Sequence, residues 1–180
     1  MKFCSACGGP VELKIPEGDD KPRYVCQSCS TIHYSNPRMV AGVIPLWQGK
    51  ILICKRAIEP ALGTWTLPAG YLENGESVRA CAIRETREEA GAELTEITPY
   101  AMINLPFIDQ VYFMYRAMLQ DTNFQPGFES SELKLVSPED IPWQQLSFAS
   151  IREVLKHYCD DLKTNQFPFR EFSIKPEHRY

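Results

Sequence analysis

The stretch GYLENGESVRACAIRETREEAGA, residues 70–92, decides how this chain of 180 residues is interpreted. Its second half has the composition of a helix, and within it Glu85, Glu88 and Glu89 are spaced i, i+3 and i+4. On a helix of about 3.6 residues per turn these side chains share one face, where like charges repel by roughly 0.2–0.5 kcal/mol per pair. An ordinary surface helix gains nothing from that repulsion, whereas a helix that holds hard divalent cations does.

The same stretch resembles the signature of the Nudix hydrolases, which cut diphosphate linkages in nucleoside diphosphate derivatives. The alternative is a solvated, charge-rich helix with a glycine C-cap, which would match the spacing of Gly70 and Glu76 only by accident. Thr86 and Ala92 stand where the family usually has a bulky apolar residue, a departure that concerns packing. The fixed identities of the signature are all present in register: Gly70, Glu76, Arg84, Glu85, Glu88, Glu89 and Gly91.

The resemblance implies a metal centre on this helix. Mg²⁺ prefers oxygen ligands and keeps several waters, so carboxylates one turn apart suit it. A metal-bound water would attack one phosphorus, and two phosphate monoesters would result. The implied metal ligands for Mg²⁺ or Mn²⁺ are Glu85, Glu88, Glu89 and a backbone carbonyl of Ala69 or Gly70, while Arg84 would orient a carboxylate and Glu76 would tie the loop to the helix.

Candidates for further site residues lie outside the signature. Family members often take an extra base or ligand from a later loop, and here the segment PGFESSE, residues 126–132, offers Glu129 and Glu132. The alternative for each is an exposed loop carboxylate. Aromatic side chains commonly stack on adenine or flavin, although each one taken alone is more often a packing residue. The candidates for such stacking are Tyr71, Phe107, Tyr112 and Phe128.

Two cysteine pairs near the N-terminus predict a zinc ribbon. Cys4 and Cys7, then Cys26 and Cys29, each enclose two residues and present two thiolates from a tight turn. Two disulfides are the alternative, and they require an oxidising compartment. A segment of about 40 residues or fewer generally needs a metal or disulfides in order to fold, so we expect the zinc to be structural.

The other metal-binding residue types near these pairs receive simpler interpretations. His33 follows Cys29 by four residues, but with four cysteines already present we expect it to be a surface or packing residue. Cys54, Cys81 and Cys159 lie among apolar or helical residues and are interpreted as small buried side chains.

The order of elements predicts an α/β fold. Ser77 suits a helix N-cap and Gly91 a helix end, and the resemblance implies a Nudix α/β/α sandwich with a mixed sheet, preceded by the small Cys4 zinc ribbon. The sequence leaves open whether the tail, which contains Phe167, Phe169, Phe172 and Tyr180, docks on the domain or serves as an oligomer arm. The expected strands are residues 39–47, 50–56, 94–105, 110–119 and 133–136, and the expected helices are residues 79–90 and 147–162. The expected domains are a ribbon at residues 1–36, a hydrolase domain at 37–162 and a tail at 163–180.

Composition limits the partners. The formal net charge is −4 and 44% of the residues are hydrophobic, which suits a globular protein and argues against a general affinity for nucleic acid or anionic membranes. Neither a long apolar run nor an N-terminal apolar segment is evident, so we expect a cytoplasmic protein. The expected partners are a small-molecule dinucleotide substrate and a second copy of the chain in a homodimer.

Residues outside the signature refine the expected substrate. The NADH pyrophosphatases carry a stretch rich in Pro, Trp and Phe soon after the signature, which residues 100–109 lack. The ribbon, residues 65–73 (WTLPAGYLE) and the Pro-Gly-x-Glu-Ser loop instead resemble FAD and ADP-ribose pyrophosphatases of the plastid type. The expected function is therefore metal-dependent hydrolysis of the diphosphate bridge in FAD or ADP-ribose. The alternatives are an NADH pyrophosphatase and, from another class, a zinc-ribbon nucleotide sensor or nucleic-acid adaptor.

Overall fold

A computed structural model describes residues 1–175 and separates the chain into two compact units, Met1–Asn36 and Pro37–Tyr180. Among the tail aromatics, Tyr180 lies outside the described residues. In the described part of the chain, no helix is long and apolar enough to cross a membrane.

The first unit is a small antiparallel sheet of three strands, β1 (Val11–Lys14), β2 (Arg23–Cys26) and β3 (Ile32–His33), in that order. A turn at its start closes where the Cys4 amide donates to the carbonyl of Gly9 at 2.8 Å. The buried apolar residues described in this unit are Cys4, Val25 and Cys26. Because so small an apolar core stabilises little, the unit depends on its cysteines.

The second unit contains one mixed sheet and two helices, so the predicted α/β class is confirmed. In order across the sheet its main strands are β10-β5-β4-β9-β8-β11, with the short β6 on β5 and β7 on β4. The pairs β4–β9 and β8–β11 are parallel, and the others are antiparallel. The elements are β4 (Arg38–Trp47), β5 (Lys50–Arg56), β6 (Trp65–Thr66), β7 (Ala69–Tyr71), α1 (Val78–Ala90), β8 (Leu94–Leu105), β9 (Gln110–Leu119), β10 (Ser130–Val136), α2 (Ala149–Thr164) and β11 (Arg170–Ser173).

The two helices cover opposite faces of this sheet. Successive side chains of a strand point to opposite faces, and β4 shows the consequence. Val43 packs with Cys81 of α1, whereas the next residue, Ile44, packs with Val154 of α2. The domain is therefore a sandwich of helix, sheet and helix, as the resemblance implied.

The chain after α2 docks on the domain through β11, which pairs in parallel with β8. An ion pair fastens this strand, because Arg170 reaches Asp161 of α2 at 2.5 Å and also donates to the hydroxyl of Tyr100 at 3.1 Å. Asp161 accepts a 2.6 Å hydrogen bond from Tyr100 as well. Residues 170–173 thus complete the sheet edge, which settles the position of this part of the tail.

Candidate active site

Local sequence fixes the ends of α1, the helix that carries the glutamates. The hydroxyl of Ser77 accepts from the amide of Ala80 at 3.1 Å, which satisfies one free N–H of the first turn. Gly91 ends the helix with φ at 60°, and its amide donates to the carbonyl of Arg87 at 2.9 Å. Glycine adopts this left-handed conformation at little cost. The predicted cap and stop are both confirmed.

Gly70 brings the loop backbone directly against the glutamate face. It lies in β7, which pairs with Ala41 of β4, and a Cβ atom added at Gly70 would overlap the carboxylate of Glu85. A larger residue would therefore displace that carboxylate. The backbone near Gly70 and the side chain of Glu85 are close enough to face one ligand together, as the sequence predicted.

Arg84 joins three carboxylates into one network. Its guanidinium donates to both oxygens of Glu76, at 3.2 and 2.7 Å, and to Glu85 and Glu88 at 2.7 and 3.0 Å. It also donates to the carbonyl of Tyr71 at 3.1 Å. The Arg84 guanidinium lowers the pKa of Glu76 to about 2, so Glu76 is an anion that ties the loop to the helix.

Two carboxylates on this face are largely withdrawn from water. Glu89 is 6% exposed, and burial, with the nearby charge of Glu85, raises its pKa to about 8. Burial also raises the pKa of Glu85, although Arg84 opposes the shift. Buried carboxylates without a sufficient cation are costly, and a divalent ion offsets that cost. The arrangement therefore fits the metal that the resemblance implied.

The loop that precedes β10 is fastened to the end of α1. The amide of Gln125 donates to the carbonyl of Ala90 at 2.9 Å, and the amide of Gly127 donates to that of Glu89 at 3.0 Å. A Cβ atom on Gly127 would overlap the carbonyl of Glu88. These contacts satisfy helix carbonyls that lack intrahelical partners, and they fix the position of the residues that follow.

The two predicted loop glutamates lie in different surroundings. Glu129 lines the same cleft as the glutamates of α1, and its charge contributes, after burial, to the raised pKa of both Glu85 and Glu89. Glu132 lies two residues into β10, where it pairs with Lys55 at 3.2 Å and does not line the cleft.

The cleft has a volume of about 860 Å³, and its lining includes both carboxylates and aromatic rings. Three of the four predicted stacking residues line it: Tyr71, Phe107 and Tyr112. Phe128 is 94% exposed and is not part of the lining. The carboxylates of the lining include Glu85, Glu88, Glu89 and Glu129.

Sequence reasoning missed several polar or aromatic residues of the lining, among them Arg56, Gln110 and Phe148. Arg56 ends β5, and its Nε donates to the carbonyl of Pro60 at 2.7 Å. Its guanidinium lies over the ring of Phe148, 5.3 Å from the centroid, which is within reach of a cation–π interaction. Within the described part of the chain, Arg56 forms no ion pair. A cation that ends a buried apolar strand was a signal available in the sequence.

The four cysteines of the first unit come together as predicted. Their sulfur atoms all lie within 4.8 Å of one another, with Cys4 and Cys29 at 3.7 Å and Cys7 and Cys26 at 3.5 Å. Four thiolates at about 2.3 Å around a tetrahedral Zn²⁺ would have sulfurs about 3.8 Å apart, so the spacing fits a metal. All seven cysteines are unpaired, so the disulfide alternative is not observed.

Backbone amides and one histidine surround these sulfurs. The amides of Ser28 and Cys29 each donate to the sulfur of Cys26 at 3.4 Å, which favours a thiolate there. Nε2 of His33 lies 3.2 Å from the sulfur of Cys4. His33 is therefore a packing neighbour of the cluster, as expected, while the potential metal-binding group consists of the four cysteines.

An α/β/α domain with a glutamate-lined cleft, preceded by a four-cysteine module, defines a class of metal-dependent hydrolases. Residues 36–158 match the family model described as NUDIX domain, and residues 2–35 match the zinc-ribbon model described as Nudix N-terminal. The chain belongs to the Nudix hydrolase family.

The curated relatives match this chain over only part of their own length. A protein of Stutzerimonas stutzeri named NAD-capped RNA hydrolase NudC is 37% identical over 132 residues, which are 73% of this chain and 46% of that protein. A protein of the same name from Vibrio atlanticus is 25% identical over 166 residues, 91% of this chain and 59% of that protein. The chain thus spans about half the length of these curated relatives.

Among solved structures, a NUDIX hydrolase from Nitrosomonas europaea is 50% identical, with a TM-score of 0.93, and the match covers 97% of this chain and 99% of that one. An ADP-ribose pyrophosphatase from Streptococcus suis is 20% identical, with a TM-score of 0.59, over 76% of this chain and all of that one. The second likeness concerns the fold alone.

Proposed function

We propose that this protein hydrolyses the diphosphate bridge of a dinucleotide of the FAD, ADP-ribose or NADH kind. The observation that carries the proposal is the cleft, whose lining combines the carboxylates of α1 with aromatic rings. Carboxylates hold the cations that a diphosphate needs, and rings stack on the bases at its ends. The products would be two phosphate monoesters.

The catalytic metal in this proposal is Mg²⁺ or Mn²⁺, held by Glu85, Glu88 and Glu89 with a backbone carbonyl near Gly70. When bound, such ions lower the pKa of a coordinated water and neutralise charge on the bridging oxygen. The buried Glu89 supports this assignment, because among residues 1–175 its carboxyl forms no ion pair, while Arg84 pairs with Glu85 and Glu88. Arg84 thereby sets the orientation of two proposed ligands.

Arg56 supplies the cation that the acidic cleft otherwise lacks. Arg84 already donates to three carboxylates, whereas Arg56 uses Nε on a backbone carbonyl, and among residues 1–175 its two terminal nitrogens donate to no other group. Its guanidinium can bind a phosphate with two hydrogen bonds. We assign it to the substrate diphosphate, whose negative charge the glutamates would otherwise repel.

Glu129 is the proposed general base. It is anchored by the backbone, since its own carbonyl accepts from the amide of Ala57 at 2.8 Å, and it shares the cleft with the proposed metal ligands. A base must lie within hydrogen-bond reach of the attacking water, directly or through one further water. Glu132 is not proposed for this role, because Lys55 already pairs with it outside the cleft.

NAD-type substrates are a second candidate, favoured by the names of the curated relatives. Those proteins are called NAD-capped RNA hydrolases, and their matches cover 73% and 91% of this chain. An NAD cap contains the same adenine, diphosphate and nicotinamide groups as the free dinucleotide, so the cleft chemistry would be shared. The chain covers about half of those relatives, so their RNA contacts need not be present here.

One assay tests the proposal. The protein is incubated with FAD, ADP-ribose, NADH and NAD-capped RNA in the presence of Mg²⁺ or Mn²⁺, and the products are separated by chromatography. We expect AMP together with FMN, ribose 5-phosphate or reduced nicotinamide mononucleotide, and from capped RNA a 5′-monophosphate end. The absence of turnover for all four substrates with both metals would overturn the proposal.

The metal of the first unit is proposed to be zinc with a structural role. The four sulfurs fill a tetrahedron, which leaves no position for a substrate. Elemental analysis should find about one zinc ion per chain, and Cys26→Ser should lose it and unfold residues 1–36. A Cys159→Ser variant is the matched control, since Cys159 lies in α2, and it should retain the metal. Zinc retained by Cys26→Ser would contradict the assignment.

The proposal includes a homodimer. Large apolar side chains are exposed on the first unit, among them Phe3, Leu13, Ile15 and Tyr34, which are 58–66% exposed. Exposed apolar groups of this kind suit contact with another protein surface. Sedimentation equilibrium should give twice the mass of 20.6 kDa, and a monomer at micromolar concentration would contradict it.

A further inference from the structure

Tyr71 and Gln110 form a hydrogen-bonded pair in the lining of the cleft. Nε2 of Gln110 donates to the hydroxyl of Tyr71 at 3.0 Å. Tyr71 ends β7 and Gln110 begins β9, and both strands pair with β4, so the contact reaches across β4. Both residues line the cleft that contains the glutamates.

The side chain of Gln110 leaves one strong acceptor without a partner. Gln110 is only 9% exposed, and its Nε2 is engaged with Tyr71, but its Oε1 has no hydrogen-bond partner among residues 1–175. This oxygen retains contact with solvent, because it is not one of the fully buried side-chain atoms that lack a hydrogen bond. Because the residue lines the cleft, a ligand in the cleft is positioned to supply the missing N–H donor.

The backbone around Gln110 holds this acceptor in place. Gln110 pairs with Leu105 on one side and with Arg38 on the other, and the amide of Arg38 donates to the carbonyl of Asp109 at 2.8 Å. Strand pairing on both sides fixes the backbone of Gln110, and the hydrogen bond to Tyr71 restrains its side chain, which reduces the cost of ordering it on binding.

The hydroxyl of Tyr71 supplies the complementary donor. It accepts the hydrogen bond from Gln110, so its own proton is available for another acceptor. The ring of Tyr71 is held from one side by the guanidinium of Arg38, 5.0 Å from the ring centroid, and the residue is 45% exposed. The pair therefore offers one acceptor and one donor side by side, next to apolar and aromatic lining residues.

We infer that Tyr71 and Gln110 recognise the edge of a planar substrate ring that carries an N–H donor beside an acceptor. The inference rests on the proposed function and specifies how its substrate is selected. Oε1 of Gln110 would accept from the ring substituent, and Tyr71 would donate to the adjacent acceptor. This chemistry is shared by the 6-amino group and N1 of adenine, by the carboxamide of nicotinamide, and by the imide edge of flavin.

Binding of mononucleotides tests the inference without requiring catalysis. Calorimetry with AMP, nicotinamide mononucleotide and FMN identifies which of the three rings the cleft takes. For the ring that binds, an analogue with altered edge is compared: IMP for AMP, nicotinic acid mononucleotide for nicotinamide mononucleotide, or N3-methyl FMN for FMN. Each analogue lacks the N–H group from which Oε1 of Gln110 would accept a hydrogen bond, so we expect about five- to tenfold weaker binding.

Variants attribute this selectivity to the pair. Gln110→Met keeps the size of the side chain and removes both polar atoms, so the preference for the natural edge should fall to near unity. Tyr71→Phe should reduce it by a smaller factor, since Oε1 of Gln110 remains. Gln120→Met is the matched control, because Gln120 follows the other end of β9 and is exposed, and it should retain the full preference.

The outcomes separate this inference from the proposed function. A preference that Gln110→Met leaves unchanged would overturn the inference, as would equal losses for the natural ligand and its analogue. Failure of the wild type to bind any of the three mononucleotides would also overturn it. Failure of the proposed function appears instead as the absence of hydrolysis in the assay with metals, while the binding preference and its dependence on Gln110 can still be measured.

Discussion

The backbone of Gly70 lies so close to the carboxylate of Glu85 that a methyl group at position 70 would overlap it. Gly70 belongs to β7, and Glu85 belongs to α1, so this contact sets the distance between loop and helix at the proposed metal centre. The glycine of the signature thus has a steric role that follows from the tertiary structure.

Gly70→Ala should displace Glu85 and reduce kcat/KM by about a hundredfold, because small displacements of reacting groups have effects of that size. The free energy of unfolding should fall by about 1–3 kcal/mol from overpacking. Steady-state kinetics and thermal unfolding measure the two effects. Gly75→Ala is the control: Gly75 has φ at 89° and no atom near its added Cβ, so it should lose stability but keep its rate. Activity of Gly70→Ala within threefold of wild type would contradict the prediction.

The ion pair of Arg84 and Glu76 predicts that the protein loses stability at acid pH. Arg84 lowers the pKa of Glu76 from its ordinary 4.5 to about 2 in the folded protein. The unfolded chain therefore binds more protons between these values, and the contribution of the pair to stability is present above pH 4.5 and is lost as the pH falls towards 2. Denaturant unfolding across this range should show the decline in wild type and a smaller decline in Arg84→Met. Equal slopes in the two proteins would count against the assignment.

Glu89 predicts that metal binding releases a proton. In the metal-free protein burial raises its pKa to about 8, so the carboxyl is largely neutral at pH 7 and must ionise to bind a divalent cation. Calorimetry with Mg²⁺ in two buffers of different ionisation enthalpy should detect about one proton released at pH 7, and the affinity should rise with pH until about 8. Glu89→Gln should bind more weakly and release none.

Without metal, the raised pKa of Glu89 makes stability depend on pH in the direction opposite to that of Glu76. The folded protein holds the proton of Glu89 between pH 4.5 and 8, whereas the unfolded chain has lost it, so the free energy of unfolding should decrease as the pH rises through this range. Glu89→Gln should weaken that dependence. A wild-type protein that releases no proton on binding Mg²⁺ would show that Glu89 is already ionised.

Glu129 and Glu132 provide a matched pair, three residues apart. Glu129→Gln should reduce kcat by about 10²- to 10⁴-fold, because the proposed base is lost, while Glu132→Gln should change it by less than twofold. The reason is their position: Glu129 lines the cleft, and Glu132 pairs with Lys55 outside it. Initial rates at saturating metal and substrate give the comparison. Equal losses in the two variants would place the base elsewhere.

Much of the fold could be predicted from local patterns. The strands predicted at residues 94–105 and 110–119 coincide with β8 and β9, and the cap at Ser77 and the stop at Gly91 are as expected. These features depend on residues close together in the sequence. The strand at residues 170–173 could not be assigned in this way, because it forms by pairing with β8, about seventy residues earlier in the chain.

The features of the site likewise divide into those predictable from local sequence and those that depend on tertiary structure. The sequence by itself determined the shared face of Glu85, Glu88 and Glu89 and the two cysteine pairs, because a helix of fixed period and a tight turn place neighbouring side chains without further information. Only the tertiary structure decided between Glu129 and Glu132, excluded Phe128 from the cleft lining, and placed Arg56 and Gln110 in it. The physical reason is that these positions depend on the pairing of distant strands and on the packing of a loop against α1.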